Sequence, residues 1–201
     1  MKLHYTGPKP VISQHGVFFK NGKEDKYIYL KLAVRVLLAI DKDYNKQDKY
    51  ETYIKDHDNL TDEKVLEILK TYEPDLEKHV ENEEKRYEKH IDTMIEEVKD
   101  TLLTDEEKSI WIKNINIMRP YMIQREINKL YYIHCIKAIK EIIHKDRISE
   151  IDIDFSLQHW HILESIAGNL EYGVKSIPTS IKVEPNKEGI LMARLFINPS
   201  Q

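Results

Sequence analysis

Glycine is absent from the whole centre of the chain. None occurs between Gly22 and Gly168, and only Pro74 and Pro120 interrupt that stretch. Glycine and proline are the residues that most often turn or break a chain. The stretch is instead rich in Glu, Lys, Leu and Ile, which suit helices joined by few turns. The absence of glycine therefore predicts long central helices.

Cysteine is nearly absent as well. Cys135 is the only cysteine in 201 residues, so no internal disulfide is possible, which fits a reducing compartment. Residues 1–16 contain no apolar run, and no signal peptide is expected. The most apolar segment, residues 27–40, contains Lys31 and Arg35 and is too short to span a bilayer. We therefore expect a cytoplasmic protein with no membrane segment.

The chain has no basic excess. Its net charge is −4 and its pI about 6.2, which argues against a dedicated nucleic-acid binder. The charges are segregated, however. Residues 61–108 contain 17 acidic and 8 basic side chains, whereas residues 110–147 contain 3 acidic and 8 basic ones. An acidic helix beside a basic one predicts an antiparallel pair of long central helices.

Start signals locate the helices. One helix is expected from about Glu24 to Asp41. Thr61 and Thr104 each precede acidic residues, as helix N-caps do. Pro74 is expected to restart a helix in its first turn, and Pro120 to kink or reset the following one.

The two ends of the chain differ from the centre. The dipeptide Asn21-Gly22 predicts a turn between short strands, including Val11-Ile12 and residues 17–19. Residues 151–157 alternate between apolar and polar, and residues 180–184 and 190–197 predict a hairpin. We predict one mainly α domain over residues 1–201. Residues 1–23 form a β or loop segment, 24–147 a helical core, and 148–201 a mixed α/β tail. The architecture is a long antiparallel helical hairpin or bundle, with a small β-element formed by the N- and C-terminal segments.

Histidines and carboxylates on the central helices are candidate metal ligands. Glu141 and His144 have the Glu-x-x-His spacing used in di-iron carboxylate bundles, although such bundles have two of these motifs. His134 lies two turns before Glu141, on a stripe that is otherwise apolar. On the preceding helix, His79 lies one turn before Glu83. These five residues could bind iron, manganese or zinc. The alternative is that they are structural or surface residues.

Other candidate sites are weaker. His159 and His161 flank a tryptophan and precede Glu164. Residues 172–179, YGVKSIPT, resemble the segment before the cis-proline strand of thioredoxin-like proteins. The Cys-x-x-Cys of those proteins is absent here, so thiol exchange has no resolving partner. His134 and Cys135 are adjacent on a helix and point about 100° apart, which disfavours a reactive pair.

The pattern favours a non-enzymatic protein-interaction or regulatory protein. No convincing catalytic set is present, and tyrosines and apolar helix faces are abundant. We expect a protein partner or self-association and no cofactor. The alternative is a metal-binding helical-bundle protein or enzyme that uses a divalent metal. A nucleic-acid role has one support, a basic face of Lys113, Arg119, Arg125, Lys129, Lys137 and Lys140.

Overall fold

The computed structural model describes residues 18–20, 23–25, 28–41, 60–146 and 151–198. The chain divides into two compact units, one of residues 1–26 and 74–131, the other of residues 27–73 and 132–201. The described residues are mainly helical and include a small antiparallel sheet, which confirms the predicted fold class.

A short β-hairpin belongs to the first unit. Strands β1 (Phe18–Lys20) and β2 (Lys23–Asp25) pair antiparallel, with Phe18 opposite Asp25. The turn predicted at Asn21-Gly22 lies outside the described residues. The prediction of a helix from Glu24 was wrong, because β2 occupies that position and the helix begins at Ile28. The predicted strand at residues 11–12 lies outside the described residues.

Two long helices make up most of the first unit. Helix α3 (Leu76–Lys99) is followed after a short turn by α4 (Asp105–Asp146), which contributes residues 105–131 to this unit. Thr104 begins α4 with a capping box. The backbone N–H of Thr104 donates to the carboxylate of Glu107 at 2.9 Å, and the N–H of Glu107 donates to the Thr104 hydroxyl at 3.3 Å. The threonine start signal is therefore confirmed.

Helices α3 and α4 run antiparallel in this unit. Arg119 donates to Asp92 at 2.6 Å, and Arg125 donates to the hydroxyl of Tyr87 at 3.2 Å. As the α4 partner advances from Arg119 to Arg125, the α3 partner moves back from Asp92 to Tyr87. The expected hairpin of an acidic and a basic helix is thus present. Pro120 does not reset α4, which continues through it as one helix.

The second unit is built around a buried helix. Helix α1 (Ile28–Ile40) buries eleven side chains, among them Leu32, Val34 and Leu37, which have no exposed surface. Helix α2 (Asp62–Tyr72) begins at the predicted cap, Thr61, whose hydroxyl accepts from the N–H of Lys64 at 3.2 Å. Lys31 at the edge of α1 lies 3.4 Å from Asp62 of α2. Residues 132–146 of α4 also belong to this unit.

A three-stranded antiparallel sheet completes the second unit. Strands β3 (Ile151–Phe155), β4 (Thr179–Pro185) and β5 (Leu191–Ile197) have the order β3-β5-β4. A 3₁₀ turn (Leu157–His159) and helix α5 (Trp160–Glu171) connect β3 to β4. The N-terminal strands do not join this sheet, because β1 and β2 pair with each other.

The two faces of the sheet differ. Ala193, Leu195 and Ile197 alternate along β5 and are fully buried, as expected for a strand with one face against the core. On the opposite face, Arg194 binds Asp154 of β3 at 2.6 Å and Glu184 of β4 at 3.1 Å. This ionic ladder joins all three strands, while the apolar face packs with α1 and α5.

Candidate functional site: an apolar face on helix α4

Helix α4 carries a row of large apolar side chains that stay exposed in the first unit. Ile110, Trp111, Ile117, Met118 and Tyr121 are 47%, 41%, 57%, 36% and 50% exposed. Ile110 and Ile117 are seven residues apart, as are Trp111 and Met118, so the row follows one side of the helix for about 17 Å. We call these five residues the α4 outer stripe.

The opposite side of the same helix faces α3. Ile112, Ile115 and Ile123 are half-buried there, together with Arg119, which binds Asp92. Helix α4 is therefore apolar on two sides over residues 110–123. One side packs within the hairpin, and the other is left to solvent. A surface helix of a folded unit ordinarily needs only one apolar side.

A polar residue lies at the middle of the outer stripe. Asn114 is half-buried and stands between the pair Ile110 and Trp111 and the pair Ile117 and Met118. Charged groups mark the two ends. The first turn of α4 contains Asp105, Glu106 and Glu107, and hydrogen bonds from the backbone and hydroxyl of Thr104 lower the pKa of Glu107. Arg125 lies one turn beyond Tyr121.

The two predicted metal ligands of the first unit differ in their surroundings. His79 is exposed, and Glu83 is half-buried on α3. The guanidinium of Arg86, one turn later, forms a bidentate hydrogen-bonded pair with the Glu83 carboxylate and lowers its pKa, with Lys129 contributing further. The effect of Lys129 agrees with the antiparallel pairing of α3 and α4 in this unit.

The predicted ligands of the second unit are dispersed along α4. His134 and His144 are ten residues apart, about 15 Å along a helix, and cannot share an ion. The ring nitrogen Nε2 of His144 lies 3.4 Å from the carbonyl oxygen of Lys175. Glu141 is exposed, so its expected place on an apolar interior stripe was wrong. Within neither unit do the five predicted ligands converge on one point.

His134 has a partner that the sequence did not indicate. Its Nδ1 lies 3.0 Å from the carboxylate oxygen Oε2 of Glu73, the residue that ends α2, and both side chains are half-buried. The ammonium group of Lys137, one turn along α4, lies 3.8 Å from the same oxygen. The Glu73 carboxylate is therefore the acidic group that the structure places beside this histidine.

The remaining nucleophile and histidine candidates are structural. Cys135 is fully buried, and burial raises the pKa of its thiol far above the ordinary value, which disfavours a reactive thiolate. His159 is buried in the 3₁₀ turn, whereas His161 is exposed and packs edge-on against Tyr29. Glu164 is exposed.

The basic face suggested by the sequence is largely neutralised. Arg119 binds Asp92, and Lys137 lies beside Glu73. Arg125 and Lys129 both lie within 4 Å of Glu126. Lys140 is buried and donates to the backbone carbonyl of Tyr172 at 2.6 Å. Carboxylates therefore lie beside four of the six basic residues, although Arg125 and Lys137 stay exposed.

Comparison with known proteins gives no relative. The sequence matches no family model, and neither the curated proteins nor the solved structures contain a match. Among the helices that the structure describes, none combines the length and the apolar character needed to cross a bilayer.

The sequence contains a signal for the outer stripe that is easily missed. The pairs 110–111 and 117–118 repeat after seven residues, while Ile112, Ile115 and Ile123 follow a separate helical row. Two interleaved apolar rows on one helix resemble the all-round apolar pattern of a single buried helix. Burial in the folded unit distinguishes them, because only one row meets α3.

Proposed function

We propose that this chain is a non-enzymatic protein-interaction protein, and that it binds another polypeptide through the α4 outer stripe. The observation that supports the proposal is the exposure of five large apolar side chains on one side of one helix. Water contact with such side chains is unfavourable, and removing a half-exposed one from water contributes about 1 kcal/mol. A partner that covered all five would gain several such contributions.

The composition of the stripe fits a protein partner. Tryptophan, tyrosine and methionine are enriched in protein interfaces, and Trp and Tyr supply many of the residues that dominate binding energy. Trp111, Met118 and Tyr121 supply all three types within eleven residues. An apolar row on one side of a helix also suits a helical partner, which can lay its own apolar side along it.

The proposal is tested by site-specific photo-cross-linking of the full chain in its native cell. A photoreactive phenylalanine analogue replaces Ile117 in the stripe, or Lys85 on the exposed side of α3 as the matched control. We expect protein adducts at position 117 that the control lacks and that Trp111→Ser diminishes. Adducts no stronger at 117 than at 85 would contradict the proposal.

Divalent-metal binding is a second candidate function. The pair Glu73 Oε2 and His134 Nδ1 supports it, because carboxylate and imidazole are ordinary ligands of zinc, manganese and iron. It ranks second because the ammonium group of Lys137 lies 3.8 Å from the same oxygen and competes with a cation. Elemental analysis of protein purified without chelators tests it. Stoichiometric metal that His134→Gln removes would favour this function over the first.

A further inference from the structure

The α4 outer stripe is nearly symmetric about Asn114. Ile110 and Ile117 lie four residues before it and three after, and Trp111 and Met118 lie three before and four after. A row of this kind presents the same sequence of large apolar, polar and large apolar groups when it is read from either end. Such self-complementarity is what a two-fold axis requires of the surface through which it passes.

We propose that the partner of the outer stripe is a second copy of this chain, packed antiparallel on α4 with the two-fold axis at Asn114. The inference rests on the proposed function and names its partner. Ile110 then faces Met118 of the other copy, and Trp111 faces Ile117. Each apolar contact occurs twice, once on either side of the axis.

Polar groups complement each other in the same register. The two Asn114 side chains meet at the axis, where one amide can donate to the carbonyl of the other. A polar residue at the centre of an apolar helix interface fixes its register. Glu107 faces Tyr121 of the second copy. Arg125 lies opposite residue 103, next to the acidic first turn of α4.

A parallel arrangement lacks this complementarity. It would bring the acidic first turn of α4 against the same turn of the other copy, with Asp105, Glu106 and Glu107 repeating on both helices. It would also stack Arg125 on Arg125. Like charges in contact oppose association. The antiparallel arrangement therefore pairs the apolar side chains with one another and also places opposite charges near each other. We take it as the arrangement of the dimer.

Cysteine cross-linking of the purified full chain tests this register. Asn114→Cys places two thiols at the axis, whereas Tyr121→Cys places them about 21 Å apart along the helices, since 14 residues separate them. A disulfide requires Cα atoms within about 7 Å. Lys85→Cys is the surface control, and the buried Cys135 stays in every variant, with the unsubstituted protein reporting its background.

Under mild oxidation we expect Asn114→Cys to form at least about ten times more disulfide dimer than Tyr121→Cys or Lys85→Cys, by the distance rule above. A variant that yields no dimer is checked for its far-ultraviolet circular dichroism, and the double variant Trp111→Cys and Ile117→Cys, whose thiols face each other between the copies, provides a second test. Equal yields at 114 and 121, or yields at 114 and in the double variant no higher than at 85, overturn the proposed dimer.

The failure of this inference can be told apart from that of the proposed function. If the purified protein gives no Asn114→Cys dimer but position 117 photo-cross-links to a different protein in cells, the second copy is excluded and the interaction function stands. If position 117 gives no adduct either, or only an adduct within its own chain, both proposals fail.

Discussion

The imidazole nitrogen Nδ1 of His134 lies 3.0 Å from the carboxylate oxygen Oε2 of Glu73. This contact connects the end of α2 to the second half of α4 inside the second unit. A histidine on an otherwise apolar row needs a polar partner, because an unsatisfied buried group costs on the order of 1–3 kcal/mol. Glu73, at the end of α2, places a carboxylate at ion-pair distance from that ring.

Replacing His134 by leucine tests whether the contact is structural. We expect the melting temperature of His134→Leu to be unchanged or higher, because leucine fits the apolar row and Glu73 keeps Lys137 within 3.8 Å. Thermal denaturation followed by circular dichroism measures it. A fall of more than about 4 °C, equivalent to about 1 kcal/mol at this chain length, would show that the pair contributes more than we infer.

The capping box at the start of α4 is expected to stabilise the helical hairpin. Thr104→Ala removes the hydroxyl that accepts from the Glu107 N–H, and should cost about 0.5–2 kcal/mol. Thr93→Ala is the matched control, since Thr93 lies inside α3, where alanine is the better helix former. Urea unfolding of both variants measures the difference. Equal stabilities for the two would mean that the cap contributes nothing.

The fold was more predictable than the site. The absence of glycine, the threonine caps and the charge segregation are features of the local sequence, and they predicted α2, α3 and α4. The tail strands were predicted from their alternating apolar and polar residues and from the hairpin pattern. Residues 24–25 misled the prediction because their strand pairing depends on β1 rather than on intrinsic preference. Likewise, a rule based on proline alone could not predict that α4 continues through Pro120 as one helix.

The candidate site depended on tertiary contacts that no local pattern contains. The sequence spacing suggested that Glu141 and His134 lie on one face of the helix. The position of the core instead leaves Glu141 exposed and places Glu73, 61 positions before His134, beside the histidine. The exposure of the outer stripe also depends on a tertiary contact. Ile110 and Ile112 are chemically identical, and only the position of α3 decides which of them remains in contact with water.

The pairing of Glu83 with Arg86 predicts a pH dependence. Arg86 lowers the pKa of Glu83 in the folded protein, so the ionised carboxylate stabilises the fold at pH values above the ordinary glutamate pKa of about 4.3. That contribution is lost as the pH falls through the lower, folded-state value. Glu83→Gln should therefore lower the melting temperature at pH 7, by the equivalent of at most about 1 kcal/mol.

The difference between Glu83→Gln and the unsubstituted protein should shrink as the pH is lowered below 4, because both then carry a neutral side chain at this position. Melting curves between pH 3 and 7 give the comparison. Glu84→Gln, at an exposed neighbouring position, is the control. A difference that is constant over this range would contradict the role of the Glu83 charge.

The most direct test of the account is the mass of the purified protein in solution as a function of concentration. Light scattering coupled to size exclusion should give a mass that rises from 23.9 kDa toward twice that value in the unsubstituted protein. The double variant Ile110→Ser and Ile117→Ser should stay at the monomer mass with an unchanged melting temperature, since both side chains are about half exposed. An unsubstituted protein that stays monomeric at every concentration, or a double variant that associates equally well, would contradict the account.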